Sequence, residues 1–413
     1  MSNLSNSRRR RCRHVDWYTF PDAGINSCWE CGLTFQTAGF TPPEIVYSAQ
    51  PQPENSSLQD EETLQAIRRP STHYFPPLNP NRQGEIRVLD LKPGEQNDRL
   101  RCHLKTVNLA FGVVYEAVSY TWADNSGNDD LCSTIYALGT QDRPGGDIAI
   151  TRNCEAMLRR LRHPHKTRRL WVDAICIDQL NIRERNHQVQ AMTAIFRGAQ
   201  RVVVYLGEAE PVVDRLVEYI TEDQGGHLPA LLDFLPLFRT RWFHRVWVLQ
   251  EIAVARSALL VLERRSLDWQ ELVINARVFL RLVNEQRQYI PLPPVLAFGL
   301  QSTSNGPSAA NLTVDFLSIM RVSRDCSCKD PRDKIYAVLG LADTDSRPPL
   351  EADYSSNASP RPVYSRFAVW HVSRTLTPRI LEHVEGLSRL AASAMPTWVP
   401  DWTNAGPQSP LPS

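Results

Sequence analysis

Residues 170–207 read LWVDAICIDQLNIRERNHQVQAMTAIFRGAQRVVVYLG, and this stretch determines the fold class. Its two ends, 170–176 (LWVDAIC) and 201–207 (RVVVYLG), are short apolar runs rich in β-branched and aromatic residues, which predicts two strands. Between them, apolar residues recur at spacings of three and four and predict a helix over 185–199, with an apolar face of Val189, Met192, Ile195, Phe196 and Ala199. Apolar strands separated by helices predict a parallel sheet that is covered on both faces.

The same alternation continues on both sides of this stretch. Residues 113–122 (VVYEAVSYTW) predict an earlier strand, and Asn153 is expected to cap the helix that follows. Downstream, the pattern predicts a strand over 258–262 and helices from Pro211, over 244–256 and from about Asp268. Together these elements predict an α/β fold, a parallel sheet flanked by helices. Ligands of such sheets bind beyond the carboxyl ends of the strands, which are expected at 120–124, 176–179 and 207–208.

Composition divides the chain into four segments. Residues 1–35 contain a small cysteine-bearing module. Residues 36–85 are rich in Pro, Gln, Ser and Glu, which is typical of a linker. Residues 86–285 carry the α/β pattern, and residues 286–413 are predicted to be a mostly helical C-terminal region.

Composition and charge also exclude several classes of protein. The 413 residues are 42% hydrophobic and 22% charged, which is enough to bury a sizeable core. A net charge of +1 creates no field that favours nucleic acid. Neither a membrane span nor a secretory leader is expected from the apolar runs. The nine cysteines are scattered, so a disulfide framework is not expected and the cytoplasm is the predicted location. Phosphate-binding loops, dinucleotide fingerprints and zinc-protease motifs do not occur in the sequence.

The N-terminal segment contains one candidate metal site. Cys12 and His14, followed by Cys28 and Cys31, supply three thiolates and an imidazole, which are the ligands of a tetrahedral structural zinc. Metal binding supplies folding energy to small units of this kind. The alternative is a leader with free thiols, since the first pair has only one intervening residue.

Several blocks in a fixed order carry a resemblance to a known family. They are YEAVSYTW (115–122), LWVDAICIDQ (170–179), the helix that begins at Glu184-Arg185, VYLG (204–207) and WFHRVWVLQEIA (242–253). DPRDKIYAVLGL (330–341) and PTWVPDW (396–402) follow them. This order resembles the heterokaryon incompatibility (HET) domain over about residues 85–402. The resemblance implies a fungal protein of non-self recognition that triggers programmed cell death.

A second, remote resemblance connects the same region with Toll/interleukin receptor (TIR) domains. The segment VSYTWAD (118–124) resembles the first TIR strand and its loop, and Trp247-x-x-x-Glu251 resembles the TIR catalytic pattern. The resemblance implies a flavodoxin-like parallel sheet, cleavage of NAD by a single glutamate, and activation by self-association. Glu251 is then the candidate catalytic residue, since one carboxylate can stabilise an oxocarbenium-like transition state. The alternative is that Glu251 pairs with Arg241 or Arg245 and positions its helix.

Other polar and aromatic residues near the predicted strand ends are candidates for binding the cofactor. They are Trp122, Asp124, Asp178, Arg185 and Trp247. Aromatic rings can stack on a base or nicotinamide, carboxylates can meet ribose hydroxyls, and an arginine can bind phosphate. The alternatives are that the tryptophans belong to the core and that Glu184 and Arg185 form a helix cap with a surface ion pair. Asp173 is expected inside a strand, on the same face as Trp171.

Two functions remain open on the sequence alone. One is an incompatibility protein that triggers cell death through NAD cleavage. The other is a non-enzymatic signalling module that acts by self-association and recruits protein partners. A zinc-containing nucleic-acid regulator is a weaker third reading, since it would rest on residues 8–31 only.

Overall fold

The computed structural model describes residues 71–124, 126–140, 144–207, 234–262, 265–285, 293–296, 315–342, 346–355, 359–384 and 395–403. It also describes the backbone of 17–20, 25–28 and 34–36 and four positions between 213 and 220. The chain forms two compact units. Unit 1 comprises residues 1–55 and 357–413, and unit 2 comprises residues 56–356.

The strands have the following bounds. They are β1 Trp17–Phe20, β2 Ile25–Cys28, β3 Thr34–Gln36, β4 Glu85–Leu91, β5 Arg101–Asn108, β6 Glu116–Ser119, β7 Ser133–Ala137, β8 Gly146–Ile150, β9 Arg168–Trp171, β10 Arg201–Tyr205, β11 Ala258–Val261 and β12 Ser266–Asp268. The helices are α1 Arg152–Leu161, α2 Asp173–Cys176, α3 Ile182–Gly198, α4 Phe234–Phe238, α5 Trp247–Ala253, α6 Trp269–Glu285, α7 Phe316–Ser323, α8 Asp333–Tyr336 and α9 Pro360–Thr375. Short 3₁₀ turns cover Leu109–Phe111, Arg241–His244, Leu339–Leu341 and Pro378–His383.

In unit 2, nine of the described strands form one mixed sheet in the order β12-β11-β10-β6-β9-β4-β5-β7-β8. The pairs β11–β10, β10–β6 and β6–β9 are parallel. Val203 in β10 lies opposite Val118 in β6 and Leu259 in β11. Val202, Val203 and Val204 are fully buried, as expected for strands covered on both faces. The predicted α/β class and its parallel core are therefore confirmed.

The other half of the sheet is largely antiparallel. Strand β4 pairs antiparallel with both β9 and β5, and β7 pairs antiparallel with β8. Strand β4 has no polar face, because all seven of its residues are buried, including Glu85, Arg87 and Asp90. A fully parallel sheet was the wrong expectation for this half, since charged residues concealed the buried character of β4.

Several local predictions need correction. The run over 170–176 is not one strand, because β9 ends at Trp171 and Cys176 N donates to the Val172 carbonyl at 2.7 Å in the helical turn α2. Asp173 therefore begins a helix and does not lie inside a strand. Helix α1 is capped by Thr151, whose Oγ1 accepts from Cys154 N at 3.1 Å, and not by Asn153. Asn153 Nδ2 donates instead to the Thr121 carbonyl at 2.5 Å.

Several other predicted elements are confirmed. Helix α3 covers the predicted 185–199 helix except for its last residue, and β10 and β11 lie in the predicted strands. Helix α6 begins at Trp269, next to the predicted start. The predicted 244–256 helix is shorter, since a 3₁₀ turn ends at His244 and α5 begins only at Trp247. The helix predicted from Pro211 lies mostly outside the described residues.

A buried ion pair joins β4 to α3. Arg87, which is 1% exposed, donates from Nη1 to Glu184 Oε1 at 2.5 Å and from Nη2 to Oε2 at 2.8 Å. Arg87 Nη1 also donates to the Cys176 carbonyl at 3.2 Å, and Glu184 Oε1 accepts from Asp178 N at 2.7 Å. The expected surface role of Glu184 is wrong, because its carboxylate holds the sheet, α3 and the loop after α2 together.

Unit 1 contains a small antiparallel sheet, β1-β2-β3, together with α9 and the 3₁₀ turn at 378–383. The Phe367 and His383 rings both contact the Trp402 ring, with centroids 6.1 and 5.2 Å away. The proposed zinc ligands Cys12, His14 and Cys31 lie outside the described residues, as does the side chain of Cys28, so this site stays a prediction. None of the described helices is both long and apolar enough to span a bilayer.

Replacing Arg87 alone should destabilise unit 2 strongly. Arg87→Met leaves the Glu184 carboxylate buried without its partner, so the free energy of unfolding should fall by about 3–5 kcal/mol. The double variant Arg87→Met/Glu184→Met should lose less, because it buries no unpaired charge. Equilibrium urea unfolding measures these differences.

A surface pair in the same strand region provides the matched control. Arg82 lies 3.7 Å from Glu85, and its side chain is 71% exposed. Arg82→Met should therefore change the free energy of unfolding by less than about 1 kcal/mol. If Arg87→Met behaved like Arg82→Met, the proposed role of the buried pair would be wrong.

Candidate functional site

The candidate site lies where two parallel strands end. Ser119 is the last residue of β6, and Asp173 follows the end of neighbouring β9 by two residues. Helix α5 brings Glu251 to the same place, where it contacts Ser119. Three segments that are far apart in sequence thus converge at the carboxyl edge of the sheet, the usual position of functional sites in this class.

A chain of hydrogen bonds fixes Glu251 in the interior. Trp242 Nε1 donates to Ser119 Oγ at 2.7 Å, and Ser119 Oγ in turn donates to Glu251 Oε2. The three residues are buried, and Glu251 is 3% exposed. Ser119 therefore uses its hydroxyl as acceptor and donor at once, and it connects the 3₁₀ turn before α5 to α5 itself.

Asp173 forms the more open part of the site. Its Oδ2 accepts from Trp122 Nε1 at 2.8 Å, and its Oδ1 accepts from Ala174 N at 2.8 Å. Both Asp173 and Trp122 are half-buried. Asp173 is thus hydrogen-bonded to the segment that follows β6, although it begins a helical turn and does not lie inside a strand.

One cation lies near both carboxyl groups. Desolvation raises the pKa of Glu251 and of Asp173, and the positive charge of Arg245 opposes this rise at both groups. The charge of Asp173 raises the pKa of Glu251 further. Arg245 also donates to the Tyr120 carbonyl at the end of β6. Two carboxyl groups with raised pKa values beside one arginine can hold or transfer a proton, which is the property required of a general acid.

The remaining predicted site residues have other partners. Asp124 closes its own loop, since its Oδ1 accepts from Ser126 N at 2.9 Å and from Asn128 N at 3.1 Å. Asp178 accepts from Leu180 N at 3.2 Å in the turn before α3. The structure therefore brings Trp122 and Glu251 to the same strand ends, whereas the oxygens of Asp124 and Asp178 bind their own turns.

Arg185 and Trp247 belong to a second polar cluster. Trp247 Nε1 donates to Asp333 Oδ2 at 3.1 Å, and Tyr354 OH donates to Asp333 Oδ1 at 2.6 Å. The Tyr354 ring lies between two guanidinium groups, with Arg185 4.6 Å and Arg332 5.2 Å from its centroid. This cluster attaches α3 and α5 to the segment 330–355. Burial raises the pKa of Asp333 to about 6, although Tyr354 and Trp247 both donate to its carboxylate.

Sequence reasoning did not single out Ser119, Trp242 or Asp333, and it named Arg245 only as a possible partner of Glu251. Ser119, Trp242 and Arg245 all lie inside blocks that carry the family resemblance, and Asp333 lies in the DPRDKIYAVLGL block. Their presence in those blocks was the available signal. A serine inside an apolar strand gives no indication of its partner, because the partner comes from residues more than 100 positions away.

Comparisons with known proteins match the region of the chain that contains the first cluster. Residues 115–251 match the family model described as heterokaryon incompatibility protein (HET). The chain is 22% identical over 424 aligned residues to heterokaryon incompatibility protein 6, OR allele, of Neurospora crassa. That match covers 82% of this chain and 58% of the relative, so the chain spans little more than half of the relative's length. No solved structure matches the chain.

The matched region contains the whole first cluster and only part of the second. Ser119, Asp173, Trp242 and Glu251 lie within 115–251, whereas Asp333 and Tyr354 lie beyond it. The comparisons therefore support the HET resemblance, but they add nothing to the remote TIR resemblance.

The raised pKa of Asp333 predicts a specific pH dependence of stability. Its folded-state pKa of about 6 exceeds the ordinary value of 3.8, so the folded state binds more protons between these pH values. Stability contributed by this group is therefore present below about pH 4 and is lost as the pH rises to about 6. The free energy of unfolding of the wild type, relative to Asp333→Asn, should fall by roughly 2–3 kcal/mol across this range.

Urea unfolding of both proteins at several pH values measures this difference. Taking the difference removes the contributions of Glu251 and Asp173, which both proteins share. The control Asp325→Asn changes an exposed carboxylate in the same region and should give a curve parallel to that of the wild type. A wild-type curve parallel to that of Asp333→Asn would show that the Asp333 carboxyl is not perturbed by its surroundings.

Proposed function

We propose that this chain, whose residues 115–251 match the HET family model, acts in fungal heterokaryon incompatibility as a signalling module. In this role the HET domain responds to a non-self protein, self-associates and leads to cell death. The printed name of the Neurospora crassa relative supports the incompatibility role. The burial of Glu251 is the observation that favours signalling through protein contacts over catalysis.

Restricted access to Glu251 favours a signalling module. A carboxylate that stabilises a developing charge on ribose has to approach that sugar within hydrogen-bond distance. Glu251 is 3% exposed, and its Oε2 already accepts from Ser119. Ser119 is itself held by Trp242 at 2.7 Å. NAD therefore reaches this carboxylate only after a rearrangement of α5 or of the Glu251 side chain.

Cleavage of NAD is the second candidate, and the position of the cluster favours it. Glu251, Asp173 and Trp122 lie at the carboxyl ends of β6 and β9, and the last two are half-buried. Trp122 offers a ring for stacking, and Asp173 offers a carboxyl group beside it at 2.8 Å. For this candidate, self-association has to open the path to Glu251, with Trp247, Arg185, Asp124 and Asp178 as further candidates for binding NAD.

The variant Glu251→Gln separates the two candidates. Glutamine keeps the shape of the side chain and an oxygen that accepts from Ser119, but it has no charge to stabilise an oxocarbenium-like state. For a signalling module, Glu251→Gln should trigger cell death in a fungal host as strongly as the wild type, within about a factor of two. For an NAD-cleaving enzyme, it should lose the response and the consumption of NAD by at least about 100-fold, as expected for removal of a catalytic group.

Two measurements in the same cultures test this prediction. Uptake of a vital dye reports cell death, and the total cellular NAD reports cleavage. Glu382→Gln, at an exposed position in unit 1, is the matched control and should leave both readouts unchanged. If no strain responds to the wild-type chain, even when the chain is brought together by an inducible dimerisation tag, the incompatibility role itself is overturned.

A further inference from the structure

A cleft separate from both clusters lies between α3, α5 and the segment 347–352. Its outer cavity has a volume of about 340 Å³, which lies within the range of small-molecule sites. It is lined by Gln190, Arg347, Pro348, Pro349, Leu350 and Glu351. An inner cavity of about 10 Å³ adjoins it, since Gln190 and Arg347 line both, and reaches Thr193 and Gln250.

Gln250, which lines the inner cavity, carries a buried donor without an acceptor among the described residues. Gln250 is 2% exposed, and its Oε1 accepts from Thr193 Oγ1 at 2.9 Å. Its Nε2 has no hydrogen-bond partner within the described part of the chain. Leaving a buried amide N–H unpaired costs free energy, so this group favours an incoming acceptor.

A second donor stands at the boundary between the two cavities. Arg347 is exposed and lines both, and no ion pair or hydrogen bond joins its guanidinium to the described residues. A guanidinium offers five N–H donors in a fork that fits a carboxylate. The boundary therefore has an excess of donors, and it requires an acceptor-rich, negatively charged ligand.

The residues that line the outer cavity determine which other groups the ligand carries. Pro349 and Leu350 present hydrocarbon to the cavity, which suits a short apolar chain. Glu351 adds one negative charge at the rim, which suits an ammonium group. The inner cavity has room for about one water molecule, so only the carboxylate end, or one bridging water, reaches Gln250.

We propose that this cleft binds a small aliphatic carboxylic acid, with its carboxylate on Arg347 and toward Gln250 and its hydrocarbon against Pro349 and Leu350. Glu351 makes an α-amino acid the better ligand. This inference goes beyond the incompatibility role and does not depend on it. Because Gln250 immediately precedes Glu251 in α5, occupation of the cleft stabilises the packing of α5 against α3.

Leucine and two analogues that each lack one of its charged groups test the proposal on the 413-residue chain. Leucine carries both charged groups, isocaproate lacks the ammonium, and isoamylamine lacks the carboxylate. Saturation-transfer NMR measures their binding, and thermal unfolding measures the stabilisation they produce. Leucine and isocaproate should bind saturably and raise the melting temperature, whereas isoamylamine should do neither.

Two variants locate the binding. Arg347→Gln should weaken the binding of both acids by about tenfold, because it removes a charge-assisted pair. Arg183→Gln is the matched control, since Arg183 is an exposed arginine of α3 that lines neither cavity. Its affinities should equal those of the wild type. Both variants should melt at the wild-type temperature without ligand, which shows that the fold is intact.

Three results decide the outcome. The proposal is overturned if neither acid binds the wild type saturably, or if Arg347→Gln binds both as well as the wild type does. Leucine should bind more tightly than isocaproate, and Glu351→Gln should abolish that difference. Equal affinities of the two acids for the wild type would support the carboxylate site and overturn the ammonium contact with Glu351.

Discussion

Arg87 places a full positive charge in the middle of the sheet, where only a buried carboxylate can balance it. Glu184 supplies that carboxylate from the first turn of α3, and it also accepts from the backbone of Asp178. Three elements are thereby fixed with respect to one another, namely β4, α3 and the loop that follows α2. Because α3 also carries Arg185 and Thr193, the second cluster and the cleft depend on the same interaction.

The two polar clusters meet at α5, and they connect this helix to different parts of unit 2. Glu251 faces the strand ends through Ser119, and Trp247, four residues earlier, reaches Asp333 in the downstream segment. A short helix of seven residues is thus held from two sides by hydrogen bonds to side chains. Contacts on two sides therefore fix the position of α5. A fixed helix is consistent with a scaffold that transmits contacts, and it is less consistent with a helix that moves to admit a substrate. Glu251 acquires its raised pKa from this enclosure.

The sequence alone predicted the parts of the fold that follow a simple period. Apolar runs identified β10 and β11, and the spacing of Val189, Met192 and Ile195 identified α3, because local patterns determine these elements. Strand β4 was not predicted, because its charged residues conceal a buried strand and are neutralised by partners that are distant in the chain, such as Glu184 for Arg87. The turn at Asp173 was missed because an apolar run does not distinguish a strand from a buried helical turn.

The candidate site shows the same difference between residues that a local motif identifies and residues whose partners are distant in the chain. Glu251 and Trp122 were identified from a motif, whereas Ser119 and Trp242 became visible only when the strand ends met in three dimensions. Asp124 and Asp178 have the right residue type and the right position in sequence, but each accepts from its own turn. A carboxylate near a strand end is therefore a weak indicator of a binding site unless the local turn is known.

The place of β4 in the sheet also affects how this domain can be exchanged between proteins. Strand β4 precedes residues 115–251, yet it lies between β9 and β5 and pairs with both. A graft cut at the edges of the family match would leave out both β4 and β5, so β9 would lose its partner β4 and become a new open edge of the sheet. Chimaeras of this chain with a related protein should keep β4 paired with both of its neighbours when the crossover points lie upstream of Glu85.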